Sequence, residues 1–386
     1  MEDGPRDPAT GRRNQIKRRG KTQREAKKRV QDAIRSLNED GMDTSTIKIM
    51  TFERVAEKWM ETYIATGVKR GSVRVREKEI KILNKYFAKA PISKITHFMY
   101  QNVLNDLAKE EYAVNTMNGV NTCAGMIFKY AKRNKLIKDN PREDAVVPKK
   151  RKTIESVKDN QIENKYMEGK ELDEFLTAVL NHGLELDKER FFTLAFTGMR
   201  PGELIALQKQ DIEFENKTVH IAKTLYNENN NMKDYTLTLP KTDGSYRVID
   251  MDDKIMTLLK RLIHKNDVHK MKYQKFVDDY HDMDFVFQRN NGYPFVTKNI
   301  ADRMQRILTY TDIKKKLTPH SFRHTHISMM TEAGVELPTI MKKVGHDDPD
   351  TTLKIYTHVT DKMKLRSVEK VTNLHSDLLD KIVFQN

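Results

Sequence analysis

Pro201-Gly202-Glu203-Leu204-Ile205-Ala206-Leu207-Gln208-Lys209-Gln210-Asp211-Ile212-Glu213-Phe214-Glu215-Asn216-Lys217-Thr218-Val219-His220-Ile221-Ala222 opens as a helix and ends as strands. Proline and glutamate suit a first helical turn, so residues 201–207 are expected to be helical. Residues 212–214 and 218–222 then read as strands, followed by 235–239 and 245–249. Pro240-Lys241-Thr242-Asp243-Gly244, between the last two, has the composition of a hairpin loop. Helical patterns surround this region, over 168–181 and 186–197 before it. After it they dominate to residue 381, apart from an extended stretch at Phe285-Val286-Phe287. A small antiparallel sheet among many helices argues against a doubly wound parallel fold. The expected class is mainly α with a small antiparallel β-sheet. No G-x-G-x-x-G or P-loop pattern is present, so nucleotide binding has no support.

Upstream, residues 46–140 read as a separate helical unit. Thr51-Phe52-Glu53 starts a capped helix with Phe52, Val55 and Trp59 on one stripe. Further helices are expected over 72–87, 96–109 and 116–135. Arg70, Arg74, Arg76, Lys78 and Lys81 lie around the second of these and read mostly as a solvated face, with phosphate contact by one or two of them as the alternative. Residues 141–165 form a polar linker containing Lys149-Lys150-Arg151-Lys152. That run has the composition of a nuclear-import signal, but a linker crossing a DNA backbone needs the same charges. Residues 1–45 are the most basic part. Arg12 to Arg29 holds ten Lys or Arg against one acid, Glu25. Asp7-Pro8-Ala9-Thr10-Gly11 signals a turn, residues 12–19 an extended segment, and Thr22 with Glu25 a helix start. A hairpin and helix of this size bury little apolar surface, and a basic tail is the alternative.

The chain has 386 residues, enough for two or three domains, and 70 Lys+Arg against 55 Asp+Glu, a formal charge of +15. Such a surplus favours a polyanionic partner through phosphate neutralisation and counterion release. No apolar run is long enough to span a bilayer, and no basic amphipathic helix with an aromatic face suggests a membrane partner. Cys123 is the single cysteine, so neither an internal disulfide nor a thiolate zinc site is expected, and a reducing, intracellular setting is.

Four segments of residues 166–386 carry groups suited to phosphodiester chemistry. Thr197-Gly198-Met199-Arg200-Pro201-Gly202-Glu203 puts Arg200 at a helix mouth, where free N–H groups and the dipole favour anions, with Glu203 one turn on to orient it. Lys241 sits in the expected hairpin loop, where an ammonium closing over a substrate can protonate a leaving alkoxide. Thr318-Pro319-His320-Ser321-Phe322-Arg323-His324-Thr325-His326 opens a helix with His320 and Arg323 on one face. His320 and His324, four apart, also have the spacing of a metal pair, although no glutamate follows His320 and no third ligand is evident. Val344-Gly345-His346 ends one helix at the glycine and exposes His346. Tyr356 is then expected towards the end of the next short helix. Taken singly, these are an arginine–glutamate surface pair, a solvated lysine, a basic helix and a core tyrosine.

In this order they closely resemble the tyrosine recombinase (phage integrase) family, as found in bacteriophages and conjugative elements. The family's signature is an arginine, a hairpin lysine, His-x-x-Arg, a second histidine and a nucleophilic tyrosine. Here these are Arg200, Lys241, His320, Arg323, His346 and Tyr356. The resemblance implies a helical core-binding domain followed by a mixed α/β catalytic domain. Residues 1–45 resemble part of an arm-type DNA-binding domain. It further implies that Tyr356 attacks a scissile phosphate to give a 3′-phosphotyrosine and a free 5′-hydroxyl. Arg200, Arg323 and His346 would hold the phosphate, His320 would assist proton transfer and Lys241 would protonate the leaving oxygen. No cofactor or metal is implied. The implied partners are double-stranded attachment sites, a homo-tetramer on DNA, a directionality factor and a host DNA-bending protein, with action in the cytoplasm at the bacterial nucleoid. A type IB topoisomerase shares the Tyr, Arg and Lys chemistry. A DNA-binding regulator in which these residues are only structural is the non-enzymatic alternative.

Overall fold

The computed structural model describes residues 2–6, 13–40, 50–149, 162–239, 246–345 and 349–374. Contacts divide the chain into two compact units, Met1–Lys152 and Thr153–Asn386. No helix among the described residues is long and apolar enough to cross a membrane.

The first unit begins with strands β1 (Glu2–Arg6) and β2 (Arg13–Ile16), paired antiparallel with Glu2 opposite Ile16. Helix α1 (Gln23–Asp40) follows, and the Thr22 hydroxyl accepts from the Glu25 N–H at its start. Ile16, Val30 and Ala33 form the small core between hairpin and helix. Four further helices come next: α2 (Phe52–Ala65), α3 (Arg70–Phe87), α4 (His97–Lys109) and α5 (Val114–Arg133). Thr51 and Thr96 cap α2 and α4 by accepting from Arg54 N–H and Met99 N–H. The core of this bundle is aromatic at its centre. Phe52 meets both Phe87 and Phe128 at 5.8 Å between centroids, and Tyr100 meets Phe128 edge-on. Cys123 is buried here, and desolvation, with Glu79 next, pushes its thiol up to about 12, so it is inert.

One member of the expected solvated face is not solvated. Arg76 is tucked against Glu79, which is buried, and its guanidinium also donates to the Gly119 carbonyl of α5. The reason is tertiary: α5 covers the Arg76 side of α3.

The second unit opens with α6 (Gly169–His182) and α7 (Asp187–Thr197), followed by the short α8 (Pro201–Ala206). Strands β3 (Ile212–Glu213), β4 (Thr218–Ile221) and β7 (Arg247–Asp250) form one antiparallel sheet in the order β3-β4-β7. Strands β5 (Thr224–Asn227) and β6 (Tyr235–Thr238) pair separately. This corrects the expected hairpin across 240–244, because the strands on either side of that loop belong to different sheets. Burial selects the pairing. Val219 and Ile221 of β4 face inward opposite Ile249 and Arg247 of β7, so both strands bury the same face. Strand β5 has no sharp alternation and was not apparent in the sequence.

Helices α9 (Asp253–Tyr273), α10 (Thr297–Leu308), α11 (Ser321–Glu332) and α12 (Leu337–Val344) complete the surround, and α13 (Pro349–Leu374) follows. Most of the apolar core lies between α6, α7, α9, α10 and the sheet. A satellite cluster of Tyr166, Ile327, Ile340, Val344, Ile355 and Val359 binds α11, α12 and α13 together. Tyr356 therefore lies near the start of a helix of 26 residues, not near the end of a short one. No glycine or proline follows it within α13 to stop the helix.

The Arg76–Glu79 pair yields a stability test. Arg76→Ala strands a buried carboxylate and is expected to cost the first unit about 3–5 kcal/mol. Changing both residues to apolar ones of similar volume should restore most of this. Urea unfolding of the single and double variants measures it, and a loss below about 1 kcal/mol for Arg76→Ala would show the pair to be surface-like.

Candidate active site

Arg200 reaches the site because the chain turns sharply between α7 and α8. Gly198 ends α7 at φ 64°, in the left-handed region, and an added Cβ would lie 2.8 Å from the His326 ring. Glycine is required there for both reasons. Arg200 then precedes α8, and its backbone N–H donates to Glu203 Oε2 at 2.9 Å. With six residues, α8 is too short to present a strong dipole, so the attraction for an anion rests on side chains.

Glu203 is the centre of the arrangement. Arg200 Nη1 donates to its Oε1 at 2.7 Å, while Arg247 donates Nη1 to Oε1 at 3.2 Å and Nη2 to Oε2 at 2.8 Å. Burial acts to raise the Glu203 pKa, but the bonds and charges of Arg247 and then Arg200 outweigh it and hold the carboxyl below its ordinary range. Arg247 was missed in the sequence. It is the first residue of a strand, in no motif, and only the inward face of β7 brings it to Glu203.

Arg323, on α11, is fully buried. Its Nη1 donates to Gly198 O at 3.0 Å and its Nη2 to Gly345 O at 3.3 Å. Arg200 Nη2 donates to the same Gly345 oxygen at 3.1 Å, and Arg247 Nε to Lys343 O at 2.9 Å. Three guanidinium groups thus meet carbonyls at the C-terminal end of α12, where backbone acceptors lack intrahelical partners. Gly345, at φ 67°, makes the left-handed turn that ends this helix, as its sequence position suggested. Desolvation, followed by repulsion from Arg200, presses the Arg323 pKa below the ordinary arginine value, so the pocket is short of negative charge.

His320 lies on the turn just before α11 and remains exposed on one side. Desolvation, then Arg323 and Arg200, lower its pKa and favour the neutral ring. Its ring meets His324 edge-on at 5.0 Å, and a basic cavity of about 430 Å³ opens beside both, lined also by Lys165, Lys314 and Lys316. Among the described residues no group of three or more His, Cys, Asp or Glu converges as metal ligands would. Tyr356 is half-buried on α13 and packs against the cluster shared with α11 and α12. The structure therefore brings together Arg200, Glu203, His320 and Arg323, and ties the helix of Tyr356 to the helix of Arg323. Lys241 and His346 lie outside the described residues.

A phage integrase family model matches residues 165–363, and one for the N-terminal SAM-like domain of phage integrases matches residues 51–108. Over 348 residues the chain is 32% identical to the integrase of Staphylococcus phage L54a, covering 86% of this chain and 95% of that protein. Its fold resembles that of the Tn1549 transposon integrase, solved with transposon right end DNA. The TM-score is 0.63 at 20% identity, over 84% of this chain and 100% of the other. Lambda integrase, solved as a tetramer on a Holliday junction, gives 0.56 at 14% identity over 91% and 90% of the two chains. The class is that of tyrosine-type site-specific recombinases serving mobile elements. Within it, this chain belongs to the phage integrase family.

His324 and His326 make stability depend on pH. Desolvation first pushes both pKa values down to about 4, with His320 next for His324 and Lys343 next for His326. In the fold, His326 Nδ1 donates to Ala195 O at 3.0 Å. Both rings are neutral when folded and protonate near 6.5 when unfolded, so the unfolded state binds more protons between those values. Stability is then complete above pH 6.5 and falls as pH drops towards 4, by about 3 kcal/mol from His326 alone. Urea midpoints measured across that range should fall with acidity. They should fall less in His326→Leu, and an identical slope in the two proteins would contradict the assignment.

Proposed function

We propose that this recombinase cleaves attachment-site DNA with Tyr356 as nucleophile. Arg200 and Arg323 hold the non-bridging oxygens of the scissile phosphate, and His320, His346 and Lys241 complete the site. One observation carries this reading: Arg200 and Arg323 both aim Nη2 at a single oxygen, that of Gly345, at 3.1 and 3.3 Å. Two guanidinium groups whose donors converge on one oxygen support a role for both at an oxyanion. Bidentate donors of this kind suit the charge that gathers in the transition state.

The remaining roles follow from the chemistry. A tyrosine with a pKa near 10 attacks slowly at neutral pH unless a base or a cationic pocket assists it, and His320 in its neutral form can take part in that proton transfer. The leaving 5′-oxygen needs a proton, which we assign to Lys241. The phosphotyrosine keeps the energy of the broken bond, so a 5′-hydroxyl from a partner strand reverses the step without ATP. Exchange of two strand pairs requires two DNA sites and four protomers, so we propose a homo-tetramer acting on double-stranded attachment sites. A directionality factor and a host DNA-bending protein would bias integration against excision. Residues 1–45 and 46–140 are proposed as arm-type and core-type DNA contacts, and residues 141–165 as a basic linker between the latter and the catalytic domain. The site of action is then the nucleoid.

Two measurements test this. On a nicked suicide substrate carrying the element's core site, Tyr356→Phe should bind as tightly as the unaltered protein but form no covalent adduct on a denaturing gel. An adduct in that variant removes Tyr356 from the chemistry. Lys241→Ala should slow cleavage of an ordinary substrate by about two decades or more, yet leave a substrate with a 5′-sulfur leaving group, which needs no proton, nearly unaffected. Equal losses on both exclude Lys241 as the general acid.

A further inference from the structure

We infer that Arg247 is a positioning residue for strand cleavage: by occupying Glu203 with a two-pronged contact, it leaves Arg200 charged and aimed at the phosphate. This rests on the proposed roles of Tyr356 and Arg200.

Arg247 spends its guanidinium on the protein: Nη1 and Nη2 donate to Glu203 and Nε donates to Lys343 O. It acts on what lies next to it. A carboxylate and a guanidinium left alone form a fork, with two parallel bonds that satisfy both partners. Glu203 would be free to take Arg200 in that way. The pair would then be neutral, and Arg200 would turn away from its target. In this structure the fork on Glu203 is made by Arg247, with bonds of 2.8 and 3.2 Å to the two oxygens. Arg200 is held by a single side-chain bond to Oε1, which leaves Nη2 for the Gly345 oxygen. In charge, Arg200, Glu203 and Arg247 together carry one net positive charge, whereas Arg200 and Glu203 alone carry none.

The remaining arm of Arg247 adds a second constraint. Nε donates to Lys343 O, so one guanidinium ties the Arg200–Glu203 pair to the end of α12, where Gly345 receives both Arg200 and Arg323. Arg247 is also the first residue of β7, six positions after Lys241. A single buried side chain thereby joins the turn that carries Arg200, the end of α12 and the strand that begins at residue 247. Arginine, not lysine, is needed for all three bonds, because they require a planar fork and a third donor.

The test uses the full-length protein in single-turnover cleavage of the nicked suicide substrate, with either a phosphate or a methylphosphonate at the scissile position. The methylphosphonate removes one negative oxygen, so a site that has lost guanidinium charge suffers less on it. Arg247→Gln should slow cleavage of the phosphate by about 100-fold, but cleavage of the methylphosphonate by less than about 5-fold, as should Arg200→Ala. Adding Arg247→Gln to Arg200→Ala should cost no more than about a further 3-fold, because both act through one group. Arg247→Lys keeps the charge opposite Glu203 and should recover at least about 10-fold over Arg247→Gln on the phosphate. Equal losses on the two substrates for Arg247→Gln and Arg247→Lys, or losses that multiply with Arg200→Ala, overturn the inference and leave Arg247 a packing residue. An adduct that persists in Tyr356→Phe instead overturns the underlying assignment of the nucleophile, so the two failures are distinct.

Discussion

Glu203 is a buried carboxylate that two arginines share, and the architecture of the site follows from keeping it satisfied. An unpaired charge in that position would cost several kcal/mol. Its oxygens are taken by Arg200 from its own turn and by Arg247 from the sheet. Because β7 supplies Arg247 and pairs with β4, the sheet must be registered with Val219 opposite Ile249 for this contact to form. The apolar register and the polar contact are therefore a single requirement. A slip by one residue would turn Arg247 outward and Val248 inward, and leave Glu203 with one partner.

The second organising feature is the end of α12. A helix C-terminus offers unpaired carbonyls and partial negative charge, which favour cations. Here those carbonyls receive three guanidinium groups that arrive from α8, β7 and α11. Such a cluster would repel itself if nothing opposed it. The carbonyls and Glu203 counter part of the charge. The positive charge that remains is what the proposed role of Arg200 and Arg323 at the scissile phosphate would draw on. The satellite core of α11, α12 and α13 then sets the helix of Tyr356 against the same framework.

The first unit is built differently. Its aromatic centre and capped helices form a core whose interior polar groups include Arg76 with Glu79 and Asn121 with Tyr100 and Arg142. In both units an arginine is held by a glutamate three residues away along a helix or its entry, and each arginine also reaches a backbone carbonyl, Gly119 O for Arg76 and Gly345 O for Arg200. The same local pair joins two helices in one place and belongs to a three-arginine cluster in the other. What separates them is whether a further arginine relieves the glutamate.

Much of this was legible in the residues themselves. The grouping of Arg200, Glu203, His320 and Arg323 was implied by the family resemblance, while the helices of the first unit, the helix over 186–197 and the helix end at Gly345 follow from periodicity and glycine placement. These are local properties, decided within one or two turns of chain. Strand partners were not legible. The polar loop at 240–244 suggests a hairpin by composition, whereas burial pairs β6 with β5 and β7 with β4. The length of α13, the burial of Arg76 and the role of Arg247 were likewise hidden, because each depends on a neighbour far away in sequence. The sequence by itself determined which groups are present and which turns they occupy. The tertiary structure alone decided that Arg247 forks onto Glu203 and that Arg200 and Arg323 meet at Gly345 O, because a carboxylate's partners are chosen by proximity in space, and that proximity is set by the packing of β7 against β4 and α12.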